Sequence, residues 1–196
     1  MNTKGFIFKI YSLPQTIFTL KEFSLIFPEA IYENLKSQVS YFVRKGKLIR
    51  VRKGVYAKEG YNVLELANKT YTPSYVSFET VLTRKGIVFQ HYETIFMASY
   101  LSRKININGN LVTYRKIKNN ILLNPEGIEY VDNYSVASAE RAFLDTVLLY
   151  KNYHFDNLSP FNWDKITKLV KIYNSKVLEK RVKEYHKIFK DEYVKN

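Results

Sequence analysis

KSQVSYFVRKGKLIRVRKGVYAK, residues 36–58, holds eight basic residues (Lys36, Arg44, Lys45, Lys47, Arg50, Arg52, Lys53 and Lys58) and no acidic one. Its apolar pattern changes period partway along. Leu35, Val39, Phe42 and Val43 recur at i, i+4, i+7 and i+8, which is the buried stripe of a helix over about 31–45. Gly46 supplies its C-terminal cap. Beyond it, Leu48, Ile49 and Val51 form a β-prone run, Arg52-Lys53-Gly54 reads as a turn, and Val55-Tyr56-Ala57 reads as the returning strand. A folded cationic helix and hairpin follow, rather than a featureless basic tail.

Upstream, Phe6, Ile7, Ile10 and Tyr11 share one helical face, and Pro14 forbids that helix from continuing. Thr19-Leu20-Lys21-Glu22 has capping-box spacing, and Phe18 with Phe23 occupies the two positions of a hydrophobic staple. A second helix therefore starts at Leu20 and ends before Pro28, leaving a short turn around Phe27-Pro28-Glu29-Ala30 before the third. Three helices followed by a two-stranded hairpin is the winged helix-turn-helix order. With Leu35, Val39, Phe42 and Val43 turned inward, Lys36, Ser37, Ser40, Tyr41 and Arg44 face outward. Arg and Lys suit guanine edges and phosphates, and Ser and Tyr hydroxyls suit phosphates or bases. Lys45 at the helix end, with Lys47, Arg50, Arg52 and Lys53 in the wing, completes the expected DNA-binding set.

Past Glu59–Asn62 the pattern changes, which places a boundary between a DNA-binding domain over 1–60 and an α+β domain over 61–196. Val63, Leu64, Leu66 and Ala67 read as a linking helix. Tyr75-Val76-Ser77 reads as an extended piece feeding a helix capped by Ser77, with Phe78, Val81 and Leu82 inward and Gly86 closing it. Residues 94–100, 104–107, 111–117 and 127–131 are β-prone, and Asn108-Gly109 is a hairpin signal between the middle pair. Ser138 caps a helix carrying Ala142, Phe143, Val147 and Leu148, and two helices over about 162–173 and 176–189 end the chain. The fold class is α+β, ending in helices.

Composition removes several chemistries. The 196 residues carry a net charge of +13 and no cysteine, so neither a disulfide framework nor thiol catalysis is available. The charge is uneven: residues 1–58 carry 11 basic and 3 acidic groups, residues 59–135 carry 8 and 7, and residues 136–196 carry 12 and 8. His91, His154 and His186 lack the spacing of a metal site, and neither a glycine-rich phosphate loop nor a G-x-S-x-G elbow is present. No metal and no cofactor is expected. Lys9 interrupts the short apolar run at the start, and no stretch approaches the roughly 20 apolar residues of a membrane span. A cytoplasmic protein with an anionic partner and no membrane partner is the expectation.

Four blocks carry a resemblance to a known family: FTLKEF (18–23), GKLIRVRKGVYA (46–57), SYVSFETVLTRKGI (74–87) and SVASAERAFLDTVLLY (135–150). In their order and spacing across most of 18–150 the chain resembles the AbiEi antitoxins, regulators of abortive-infection toxin–antitoxin systems. The resemblance implies a winged helix that represses its own operon at inverted repeats in double-stranded DNA. It also implies a C-terminal domain that counteracts a nucleotidyltransferase-like toxin in a type IV arrangement, where antitoxin and toxin need not form a stable complex. A two-fold operator is served equally by a stable dimer or by monomers pairing on DNA.

In the second domain the polar residues that stand out are Ser77, Glu79, Glu140, Arg141 and Asp145. Helix-terminal placement and an i, i+4 pair between Arg141 and Asp145 account for their types, and an antitoxin surface follows if Glu79, Glu140 and Arg141 converge in a cleft. Two other functions compete with a non-enzymatic repressor. A winged-helix-linked, metal-dependent nuclease needs clustered carboxylates, often with a nearby lysine, and the chain has no E-x-K or D-x-K tripeptide. An RNA-binding antagonist of the toxin's substrate would use some of the 17 Tyr and 13 Phe as stacking platforms, although most fall at core periods.

Overall fold

A computed structural model describes residues 3–193. The first part runs α1 (Thr3–Ser12), β1 (Ile17–Thr19), α2 (Leu20–Ile26), α3 (Tyr32–Arg44), β2 (Ile49–Arg52) and β3 (Val55–Ala57). The capping box at α2 forms in full: Glu22 N–H donates to Thr19 Oγ1 at 3.2 Å and Thr19 N–H to Glu22 Oε2 at 2.7 Å. The staple closes as well, with the Phe18 and Phe23 rings 5.4 Å apart. At the end of α3, Gly46 takes φ +66°, and Lys47 N–H donates to Phe42 O at 2.9 Å while Gly46 N–H donates to Val43 O at 3.0 Å. That pair of bonds is a Schellman motif, which satisfies two orphan carbonyls and turns the chain sharply into the hairpin.

The strand β1 is a correction to the sequence reading, which has no strand between α1 and α2. It pairs antiparallel with β3, so the hairpin becomes a three-stranded sheet of order β1-β3-β2. A three-residue strand that ends on the capping residue Thr19 itself gives too short a pattern to read as a period. Their burial gives the strand its role: Phe18 enters the core of the first part with Phe6, Ile10, Phe23, Phe27, Leu35, Val39, Phe42 and Leu48, whereas Ile17 on the opposite face joins the larger core beyond.

The second part comprises α4 (Val63–Thr70), β4 (Ser74–Val76), α5 (Glu79–Arg84), β5 (Ile95–Ser99), β6 (Arg103–Ile107), β7 (Asn110–Lys116), α6 (Asn119–Leu122), β8 (Ile128–Val131), β9 (Tyr134–Ala137), α7 (Ala139–Leu149), α8 (Trp163–Leu169), a 3-10 turn (Val170–Tyr173) and α9 (Lys176–Tyr193). Among the described residues its strands form a six-stranded sheet of order β6-β7-β5-β4-β9-β8, parallel at β4–β9 and β5–β7 and antiparallel elsewhere. Helix α4 lies on one face, where Tyr114 Oη donates to Ala67 O at 2.7 Å. Helix α7 lies on the other, where Tyr75 Oη donates to Asp145 Oδ2 at 2.9 Å, and α8 and α9 pack behind α7. The chain is thus a mixed α+β protein.

Three local expectations are corrected. Ser77 does not cap α5: its hydroxyl donates to Asp145 at 2.8 Å, and the capping position is Phe78, at φ +55° and ψ −140° with no side-chain cap bond. This strained backbone is held by burial of the whole Phe78 ring, the favourable term that offsets about 1–3 kcal/mol of strain. Strand β9 has no counterpart in the sequence reading, because the turn before it is Asp132-Asn133, both at positive φ, without the glycine that marks Asn108-Gly109. The helix expected over 162–173 stops at Leu169 and tightens into the 3-10 turn. Gly127 has little room to be anything else: at φ +74°, an added Cβ would sit 3.2 Å from both Arg141 Cβ and Leu169 Cδ1.

The two parts meet through buried polar bonds. Glu65 on α4 is fully buried and accepts from Thr16 N–H at 2.9 Å, Thr16 Oγ1 at 2.6 Å and Ile17 N–H at 3.2 Å. Lys69, one turn on, stands 3.0 Å from Glu65 and 2.7 Å from Glu22, and donates to Ile17 O at 2.6 Å. The carboxylate that caps α2 therefore also holds α4. Val55 and Ala57 of β3 join Ile17 in the larger core.

Candidate nucleic-acid interface

Helix α3 sorts its residues as its apolar stripe requires. Leu35, Val39 and Phe42 are buried, and Lys36, Ser37, Ser40, Tyr41, Arg44 and Lys45 are on the outer side. In the hairpin Lys47, Arg50, Arg52 and Lys53 are exposed as well. Two of these cations lie over rings on their own helix: Lys36 over Tyr32 at 5.2 Å and Lys45 over Tyr41 at 5.9 Å. Lys36 also pairs with Glu33 at 3.1 Å across open solvent, an ion pair worth little that a phosphate can displace.

Lys58, the last residue of the basic run, is withdrawn from this surface. It is buried, its ammonium donates to Leu13 O, and it lies over the Tyr11 and Phe18 rings. Burial lowers its pKa, with the Glu65 charge opposing the shift. The basic run therefore has a structural last member, because Ala57 and Lys58 already belong to the joint between the two parts.

Arg52 does not stand alone in the hairpin. Its guanidinium lies 5.1 Å from the centroid of Tyr71, just past α4, and Arg103 at the start of the edge strand β6 lies 5.8 Å from the same ring. Tyr71 is held edge-on against Tyr114 at 4.9 Å. The exposed basic surface of the hairpin thus runs on to Arg103 in the second part. Sequence reading misses Tyr71 and Arg103: they are far from the basic run in the chain, and only the pairing of the sheet brings them beside it.

The five polar residues singled out in the second part do not form an exposed surface. Ser77, Arg141 and Asp145 are fully buried, and Glu79 and Glu140 nearly so. Asp145 accepts from Tyr75, Ser77 and Tyr173 hydroxyls at 2.9, 2.8 and 2.7 Å, with Arg141 Nε 3.8 Å away. Arg141 also donates to Ile121 O at 2.6 Å and Glu126 O at 3.0 Å, tying α7 to α6 and to the loop before β8. Burial raises the Asp145 pKa, opposed by the Arg141 charge and the three hydroxyl donors. Burial also works against the Arg141 cation, but Tyr173, Tyr75 and Asp145 more than offset it and hold it charged.

Glu79 and Glu140 go to separate partners. Glu79 makes a bidentate pair with Arg115, whose guanidinium lies 4.2 Å from the Phe96 centroid and 4.7 Å from that of Phe78. Glu140 pairs with Lys165 at 2.9 Å. The cleft required for an antitoxin surface from Glu79, Glu140 and Arg141 is not what these residues build; each carboxylate is matched to its own cation. Arg115 does not stand out in the sequence, because β7 gives no sign of which face of the sheet it takes.

Among the described residues no group of three or more His, Asp or Glu side chains is arranged to hold a metal ion. Among the same residues no helix is long and apolar enough to cross a membrane. No protein-family model matches this chain, and no curated protein matches it.

Proposed function

We propose that the chain is a DNA-binding autorepressor and antitoxin of the AbiEi type, with a winged helix-turn-helix over residues 1–60. One observation carries the reading most: the cations of α3 and of the β2–β3 hairpin are all on the exposed side, while the opposite side of α3 is buried. Helix–strand–helix–helix–strand–strand order, with a β1-β3-β2 sheet, supports the winged-helix assignment. In this reading α3 enters the major groove, where Lys36, Ser37, Ser40, Tyr41 and Arg44 meet base edges and phosphates. The wing residues Lys47, Arg50, Arg52 and Lys53 hold the backbone, and two copies occupy the inverted repeats. The second part counteracts a nucleotidyltransferase-like toxin.

Substituting Arg44, Arg50 and Arg52 together by alanine tests the DNA-binding half. Operator affinity falls, and the slope of log K against log salt becomes shallower by about 0.9 for each phosphate no longer neutralised. An unchanged affinity overturns the assignment. The antitoxin half is tested by coexpression with the neighbouring open reading frame: rescue of growth from a toxic neighbour supports it, and a harmless neighbour or failure to rescue removes it.

A further inference from the structure

The six-stranded sheet has two edges, and they are built differently. Edge strand β6 starts with Arg103-Lys104 and lies beside the hairpin, where Arg103 reaches Tyr71. Charge and cover of this kind are how sheets block unwanted strand pairing. Edge strand β8, Ile128-Glu129-Tyr130-Val131, has neither proline nor lysine, and among the described residues no strand pairs with its outer side. Tyr130 is 67% exposed and Val131 42%, and Leu123 beside them is 65% exposed. A groove of about 320 Å³ reaches from Leu123, Pro125, Ile128 and Tyr130 across to Ser135 of β9 and to Ser74 and Tyr75 of β4, so it lies inward of the open edge.

The hairpin register says which backbone groups are free. Val131 and Tyr134 flank the two-residue turn and form its hydrogen-bonded closing pair, so Tyr130, opposite Ser135, points its N–H and C=O away from β9. Ser135 N–H likewise points away from β8 and donates to Asn68 Oδ1 at 3.1 Å, which fixes the same parity from the other strand. Tyr130 therefore offers both a donor and an acceptor at the open edge.

Charge selects the occupant. The protein carries +13 overall, yet residues 119–140 contain Glu126, Glu129, Asp132 and Glu140 and no Lys or Arg. Glu126, Glu129 and Asp132 are exposed, and among the described residues none of the three pairs with a cation. A second copy of β8 would set these carboxylates against one another, which disfavours self-pairing. We propose that β8 docks an extended segment of a partner protein in which lysine or arginine alternates with β-branched residues, added as a seventh strand. Its backbone bonds to Tyr130, its apolar side chains cover Tyr130 and Leu123, and its cations meet Glu129 and Asp132. This surface is independent of the DNA-binding reading, since it lies on the edge opposite to the hairpin.

The test uses the full chain and three seven-residue peptides: alternating lysine and valine, alternating glutamate and valine, and alternating lysine and serine. Binding is followed by amide chemical shifts and by hydrogen exchange at Tyr130. The lysine–valine peptide is expected to bind saturably and to slow exchange of the Tyr130 amide, whereas the other two leave it unchanged. The double variant Glu129→Lys, Asp132→Lys, whose substitutions are both at exposed positions, is expected to bind that peptide at least about fivefold more weakly, because two cross-strand charge pairs turn repulsive. Absence of Tyr130 protection, equal binding by the lysine–serine peptide, or unchanged affinity in the double variant overturns the proposal. Operator binding by the same preparation is read separately, so a failure here is distinguishable from a failure of the DNA-binding reading.

Discussion

Arg52 in the β2–β3 hairpin and Arg103 at the start of β6 lie over one and the same ring, Tyr71, at 5.1 and 5.8 Å from its centroid. The ring holds two cations, 51 positions apart in the chain, on one side of the molecule. Two arginines repel, and a shared aromatic ring offsets that repulsion while leaving their N–H groups free for an anion.

Substituting Tyr71 by leucine keeps the apolar volume against Tyr114 and removes the shared ring. On the DNA-binding function proposed above, affinity for operator DNA is expected to fall about threefold to tenfold, the range of a partly desolvated cation–π interaction. No charge is removed, so the salt slope stays that of the parent. Arg52→Gln, by contrast, is expected to make the slope shallower by about 0.9. Fluorescence anisotropy over a range of salt concentrations separates the two; a slope that changes in the Tyr71 variant shows that the ring does more than hold the arginines.

How much of this is legible in the sequence depends on the distance over which each signal acts. The capping box at Thr19 and Glu22, the glycine end of α3 and the Asn108-Gly109 turn are local devices, and each is found where the sequence puts it. Strand β1 has three residues and β9 follows a turn without glycine, so neither leaves a period to read. Charge and periodicity together identify the outward face of α3, but they do not distinguish Lys58, which is buried, from Lys53, which is exposed. The sequence marks the polar residues of α7 but misplaces them. Ser77 and Asp145 are 68 positions apart, and only the packing of α7 on β4 reveals that their bond lies in the interior.

Because that network is interior, altering it changes folding stability. Arg141→Met leaves Asp145 without its countercharge and Ile121 O and Glu126 O without donors, and is expected to cost about 3–5 kcal/mol. Asp145→Asn keeps one acceptor for three hydroxyls and is expected to cost about 1–3 kcal/mol. Combined, the two changes cost less than their sum, since each removes part of what the other needs. Urea unfolding checks all three; effects within about 0.5 kcal/mol, the usual surface range, contradict the burial.

The joint between the two parts yields a separate expectation. Lys69→Met removes the cation that meets both Glu65 and Glu22, leaving a fully buried carboxylate with only neutral donors. A loss of about 2–4 kcal/mol is expected. Hydrogen exchange at Thr16 and Ile17, whose amides bond Glu65, is expected to quicken more than exchange in the distant α8. Glu65→Gln, which keeps an acceptor and removes the charge, is expected to cost less than Lys69→Met.

Acid acts on a different pair. Burial alone would raise the Glu140 pKa, but hydrogen bonds from Lys165 and from the backbone, with the Lys165 charge, hold it below its ordinary value of 4.5. The native state therefore binds this proton less readily than the unfolded chain. The contribution to stability is complete above pH 4.5 and disappears as pH falls through the lowered native value. Lys165 is 42% exposed. Solvent screening thus limits the contribution to about 0.5–1 kcal/mol. Glu140→Gln is expected to be less stable than the parent by that amount at neutral pH and to converge with it in acid. High salt narrows the neutral difference. Urea midpoints of both proteins from neutral pH into acid provide the check, and two parallel curves that never converge assign the loss to packing rather than to charge.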